Sequence, residues 1–204
     1  MPRLNREESH ARTRNLLIEA ARQEIASKGF AQASVRDIAA AAGFSLGAFY
    51  SNFPDKQAIL LELVRRHQAQ ERESIEAALD AAPGKAASVM AKLEKWAAAS
   101  NADPGFSALA IELQLQALRS SSFAEGYDAL SRQHRQVLGD LIIKLFALLG
   151  KQVPGDPAEI ATGFIALGRG MALLSKDGET TRGRILMTFL KALVETAPPL
   201  QTRT

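Results

Sequence analysis

The chain has 204 residues, 47% of them apolar, and a formal net charge of +3 with a pI near 9.3. That is enough apolar material for a sizeable core, and the charge permits a nucleic-acid partner without demanding one. There is no cysteine, which excludes disulfides, thiolate metal sites and a cysteine nucleophile. No apolar run reaches the roughly 18 residues of a membrane span. Glu7 and Glu8 stand where a signal peptide would need an apolar stretch, so a cytoplasmic protein is expected.

Arg3, Arg6, Arg12 and Arg14 crowd the start of the chain. They read either as a basic arm that reaches a groove or a phosphate, or as a solvated tail diluted by Glu7 and Glu8. The stretch Thr13 to Ala21 opens a first helix that stops at Lys28-Gly29-Phe30. Residues 34–53 then read as two short helices around a glycine turn. Val35, Ile38, Ala39 and Ala42 recur at i, i+3, i+4 and i+7, one apolar helical face. Ser34 and Asp37 form a capping box before it. Gly43 offers a backbone free to take positive φ in the turn. Ser45 caps the second helix, which carries Phe49 and leads to Phe53. Such a pair is either a generic helical hairpin or a helix-turn-helix, whose second helix enters the DNA major groove.

Asp55 caps a fourth helix, predicted from Lys56 to Leu79 and broken at Ala81-Ala82-Pro83-Gly84. A fifth reaches Ser100. Asp103-Pro104 opens a sixth that ends near Arg119. Ser122 and Glu125 suggest a capping box for a seventh, which runs to Leu149. Val153-Pro154-Gly155 breaks the chain, and Asp156-Pro157 starts an eighth helix that ends at Lys176-Asp177-Gly178. A ninth spans Thr181 to Glu195, before a frayed tail at Ala197-Pro198-Pro199. No segment sustains two-residue alternation, so the fold class is all-α.

Residues 12–64 resemble the DNA-binding domain of the TetR family of bacterial transcriptional regulators. The resemblance is carried by Thr13-Arg14, Leu16-Leu17, Ala20-Ala21, Lys28-Gly29-Phe30, Ser34-Val35-Arg36-Asp37-Ile38-Ala39, Ala42-Gly43-Phe44-Ser45, Gly47, Phe49-Tyr50, Phe53-Pro54 and Lys56. It implies a nine-helix TetR-like architecture. Residues 1–55 would be the helix-turn-helix domain with its basic arm, and residues 56–204 an effector-binding and dimerisation domain. The implied function is a ligand-responsive regulator. A homodimer, leaning toward repression, would leave a near-palindromic double-stranded DNA operator when a small apolar or amphipathic effector binds. A ligand-independent architectural DNA binder is the alternative, though it would not need so large a second domain. No cofactor, metal or membrane partner is implied.

Carried over by position, phosphate contacts fall on Ser34, Tyr50, Ser51, Asn52 and Lys56, and base reading on Arg36, Ser45, Leu46, Gly47 and Ala48. Arg36 is the side chain among these able to bond guanine O6 and N7 bidentately. Leu46 departs from the polar or basic residue common there; it meets a thymine methyl or packs with Phe49 and Phe53. Asn52 replaces the more usual His or Tyr, and Ile25 a common core Phe. Gly47 lets the backbone approach the groove closely.

The sixth helix is apolar on more than one face, which in this family places it beside the effector cavity. Its Glu112 and Gln116 either supply polar groups to that cavity or form a surface stripe. Trp96, Phe106, His134 and Phe146 are further effector candidates, with His134 read first as a satisfied core histidine. On the eighth helix Ile160, Phe164, Leu167, Met171 and Leu174 follow a 4-3-4-3 spacing. Gly163, Gly168 and Gly170 weaken an isolated helix but suit one packed closely on another. With Ile185, Phe189 and Leu193 on the ninth, this reads as a four-helix dimer interface, in which Arg169 pairs across the dimer or binds an anion. His10, His67 and His134 are far apart and none sits with Asp or Glu at a ligand spacing, so an enzyme is not expected.

Overall fold

The computed structural model describes residues 5–80, 86–99, 104–174 and 179–200, without the side chains of 99, 104–108, 172, 174 and 179–180. Among the described residues there are nine helices and no strand, only an isolated bridge between Lys151 and Pro199. The helices are α1 (Arg6–Lys28), α2 (Val35–Ala41), α3 (Leu46–Tyr50), α4 (Lys56–Asp80), α5 (Ala86–Ala99), α6 (Pro104–Arg119), α7 (Ser121–Leu148), α8 (Pro157–Leu174) and α9 (Glu179–Thr196). The expected breaks at Ala81–Gly84 and Lys176–Gly178, and the Asp103 cap, lie outside the described residues.

Side-chain caps decide most helix starts, because the first turn of a helix leaves backbone N–H groups without partners. Ser34 accepts from the Asp37 N–H while the Asp37 carboxylate answers the Ser34 N–H, the expected capping box. Ser45 accepts from the Ala48 N–H at 3.2 Å, and Asp55 from the Ala58 N–H at 2.7 Å. Asp156 accepts from the N–H groups of Ala158 and Glu159. One cap moves a boundary: Asn5 and Glu8 form a capping box of their own, so α1 begins at Arg6 instead of near Thr13. Arg6, Arg12 and Arg14 are therefore helical residues and not a flexible arm; Arg3 lies outside the described residues. Farther along, α7 begins at Ser121, with the Ser120 backbone carbonyl accepting from the Ala124 N–H, so the residue before the helix is Ser120, two positions ahead of the expected Ser122 cap.

The chain divides into two compact units, residues 1–67 with 108–128, and residues 68–107 with 129–204. In the first, α1 packs on α2 and α2 on α3. Leu17, Ile18, Ala21, Ile25, Ile38, Ala39, Phe49 and Phe53 are buried there, as are Ile59, Leu60 and Leu63 of α4 and Leu113, Phe123 and Tyr127. Each large side chain so buried contributes about 1.5–3 kcal/mol. Gly43 has φ +77°, and its N–H bonds Ala40 while the Phe44 N–H bonds Ala39, closing the turn between the two short helices.

In the second unit, Leu79 of α4, Val89, Leu93 and Ala97 of α5, Leu141, Leu145 and Phe146 of α7, and Met187 and Leu190 of α9 form one buried cluster. Residues 197–200, expected to be frayed, are instead held by hydrogen bonds. Gln152 donates to the Pro198 carbonyl, Leu200 to Gly150, and the Lys151 ammonium to Ala197. Proline has no N–H to lose, and a proline carbonyl still accepts, so Pro198 can be tied down by its neighbour strand-fashion.

Candidate nucleic-acid interface

The second helix of the pair, α3, is five residues long, too short to hold its own shape. It is fixed from beneath by aromatic side chains. Phe49 is fully buried and lies 5.8 Å, centroid to centroid, from the buried Phe53. Tyr50 meets Phe49 edge-on at 5.6 Å, yet it is 56% exposed. Its hydroxyl is thus carried on the solvent side of a rigid aromatic base. Ser45, Leu46, Gly47 and Ser51 are exposed and Ala48 is half-buried. Leu46 is 37% exposed, so a large part of its side chain is open to solvent.

Gly47 has open space around it: a Cβ there would meet only the Ser45 hydroxyl, at 3.7 Å. Nothing inside this unit demands glycine at that position. Arg36 on α2 is exposed and, among the described residues, enters no ion pair. Beside it the Asp37 carboxyl is held below its ordinary range, first by the hydroxyl of Ser34 and then by the Ser34 N–H. The charges of Lys28 and Arg36 add smaller contributions to the same shift.

The polar groups at the end of α3 are partly in use. Ser51 donates to the Ala48 carbonyl at 2.9 Å, and the Asn52 amide nitrogen donates to the same carbonyl at 2.8 Å. The Asn52 backbone carbonyl accepts from Arg14 at 2.7 Å, and the Arg14 guanidinium carbon lies 4.1 Å from the Phe53 ring centroid. Lys56 starts α4 with its ammonium donating to the Phe30 carbonyl and lying 4.3 Å from the Phe30 ring centroid. Burial lowers the Lys56 pKa, and the nearby Glu112 carboxylate opposes that shift. A phosphate would have to draw this ammonium off Phe30, whereas Tyr50 and Ser51 already face solvent.

Residues 17–63 match the family model of the bacterial regulatory proteins, tetR family. No match was found among curated protein sequences. Among solved structures, a Mesorhizobium loti protein described as a TetR-family transcriptional regulator is 19% identical, with 96% of this chain and 100% of that one covered at a TM-score of 0.73. Residues 17–63 thus carry the tetR-family DNA-binding motif, and the chain shares its fold with that solved structure. GusR of Salmonella enterica is 21% identical over 90% of this chain and 96% of its own, with a TM-score of 0.71. A Saccharomonospora viridis protein described as a transcriptional regulator, in complex with choline, is 21% identical over 91% of this chain and 97% of its own, at 0.64. At these identities the structural likeness speaks for the fold.

The remaining expected site residues of the chain are placed as follows. In the first unit, Glu112 accepts the Phe30 N–H at 2.5 Å, and Gln116 is half-buried one turn on. In the second, Trp96 packs on the buried cluster and donates to the Ser74 hydroxyl at 2.9 Å. Phe146 lies wholly inside that cluster. His134 is buried, its Nε2 3.2 Å from a Glu71 carboxylate oxygen, so it is a partnered histidine. The Phe106 side chain lies outside the described residues. Of the expected interface, Phe164 and Ile185 are half-buried, Met171 is buried within the chain, and Phe189 is 54% exposed. A Cβ on Gly163, Gly168 or Gly170 would meet nothing within 4 Å. Among the described residues no helix is long and apolar enough to cross a membrane.

Two links have no signature in the sequence, Arg14 to Asn52 and Glu112 through Phe30 to Lys56. They join residues 38, 82 and 26 positions apart, and no local spacing signals them.

Proposed function

We propose that this chain is a cytoplasmic, ligand-responsive repressor that binds a near-palindromic operator as a homodimer and leaves it when a small apolar or amphipathic effector binds. The observation that carries the DNA half is the free face of α2 and α3. Arg36 of α2 is exposed, as are Ser45, Leu46, Gly47, Tyr50 and Ser51 in and beside α3, which Phe49 and Phe53 hold from beneath. Arg36 and the start of α3 read bases, while Ser34, Tyr50, Ser51 and Asn52 sit against phosphates and fix register. Lys56 joins them only if it leaves Phe30. Residues 1–55 do the reading, and residues 56–204 bind effector and partner. The exposed Phe189 and the open space at Gly168 support pairing of α8 and α9 between copies. The choline found with the Saccharomonospora viridis protein supports a small-molecule effector in this fold.

The test is selection of duplexes from a random-sequence pool, followed by footprinting of the winner. Two protected half-sites roughly 34 Å apart, or a multiple of that, are expected from a helix-turn-helix dimer. Arg36→Ala should cost about 1–3 kcal/mol and relax one base position. Protection of a lone half-site, or equal loss on selected and random duplexes, would count against the dimer and the base reader respectively. Thermal-shift screening of apolar and amphipathic compounds, with DNA titration for each hit, tests the effector. Hits that stabilise the protein but never change DNA affinity favour an architectural protein instead.

A further inference from the structure

Phe30 sits just past α1, at the entry to the helix-turn-helix, and Lys56 stands at its exit, at the start of α4. Both backbone polar groups of Phe30 are held by charged side chains. The Glu112 carboxylate of α6 accepts its N–H at 2.5 Å, and the Lys56 ammonium donates to its carbonyl while lying over its ring. Such charge-assisted bonds are stronger than neutral ones, and partial burial strengthens them further. Entry and exit of the reading motif are therefore fastened to one residue, and α6 fastens that residue in turn.

The residue before it is shaped to the same contact. Gly29 has φ +79°, and a Cβ on it would stand 3.4 Å from one Glu112 oxygen and 3.9 Å from the other.

We propose that Glu112 is a positioning residue for DNA binding, which holds the Phe30 turn and, through its carbonyl, Lys56, so that α2 and α3 present their exposed face in one arrangement. This rests on the DNA-binding reading of that face. Glu112 does not touch DNA on this account; its effect is on how well the motif is set for a particular sequence.

The experiment uses the full chain, the duplex that the unaltered protein selects from a random pool, and a random duplex of equal length. Glu112→Ala removes the acceptor, so affinity for the selected duplex should fall about tenfold while random-duplex affinity and the salt slope hold. Glu112→Gln keeps an oxygen that can accept the Phe30 N–H, and should recover most of that loss. Hydrogen exchange supplies a direct readout, since the Phe30 amide should exchange faster in Glu112→Ala and stay protected in Glu112→Gln. If Glu112→Ala does not fold, Glu112→Asp, whose carboxylate is drawn back by one methylene, should show the same two losses. A selected-to-random ratio unchanged in a folded Ala or Asp variant overturns the proposal. So does a gain on both duplexes with a steeper salt slope in Glu112→Gln, because Glu112 would then act only as a charge screen on Lys56. Failure of the unaltered protein to select any duplex would instead sink the DNA-binding reading, and the amide exchange would still judge the Phe30 contact.

Discussion

Arg14 is expected to act inside the DNA-reading unit and not on DNA, and its removal separates the two. In Arg14→Ala the side chain loses a 2.7 Å bond to the Asn52 carbonyl and its place 4.1 Å from the Phe53 ring centroid. A hydrogen bond from a charged donor is worth about 1.5–3 kcal/mol and an exposed cation–π contact about 0.5–1 kcal/mol. Arg14 is only half-buried, so solvent replaces part of both, and a net loss of about 1–2 kcal/mol is expected. With a urea slope of about 2 kcal/mol/M, the unfolding midpoint of this unit should drop by about 0.5–1 M. Arg14→Lys keeps the charge but not the planar fork, and should recover little. The assay is urea unfolding followed by circular dichroism, with salt titrations of binding to a selected duplex. Binding should weaken because the end of α3 is loosened, while the salt slope stays the same. An unaltered midpoint together with a slope shallower by about one unit would refute this reasoning and make Arg14 a phosphate ligand.

Three further outcomes are expected. Gly43→Ala forces a side chain into a backbone at φ +77° with nothing within 4 Å to clash, so thermal melting should report a loss of about 1–2 kcal/mol from strain alone. Gly168→Leu enters open space within one copy, so it should leave the protomer folded but yield a monomer on sizing and lose operator binding; a dimer would place the interface elsewhere. Glu62 is held down to about 2, chiefly by its bond to Arg65, with Arg66 adding to it. Because the folded pKa lies below the unfolded one, its contribution is full above the ordinary glutamate range and fades as pH falls from about 4.5 toward 2. The acid limb of a stability profile should flatten in Glu62→Gln across that window, and an identical limb would remove Glu62 from the account.

The helix-turn-helix could be read before any fold was known because its signals lie between near neighbours. The Ser34–Asp37 box, the Ser45 and Asp55 caps, the turn at Gly43 and the apolar face of Val35, Ile38, Ala39 and Ala42 each act over a few residues, where sequence spacing and spatial distance agree. The Asn5–Glu8 box is equally local and starts α1 at Arg6, although the arginines around it read as a charged arm. What tertiary structure decided are contacts between distant positions. Leu46 reads as groove or core, and only the fold leaves it 37% exposed while Phe49 and Phe53 are buried. Pro198 and Pro199 look like a loose end until Gln152 and Leu200 bond across them. Glu112 shares its helix with apolar residues on two faces, which suggests a cavity, but its carboxylate finds the Phe30 amide 82 residues away. A buried polar group takes whichever partner the fold brings within reach, and that partner's number in the chain is set by packing, not by periodicity.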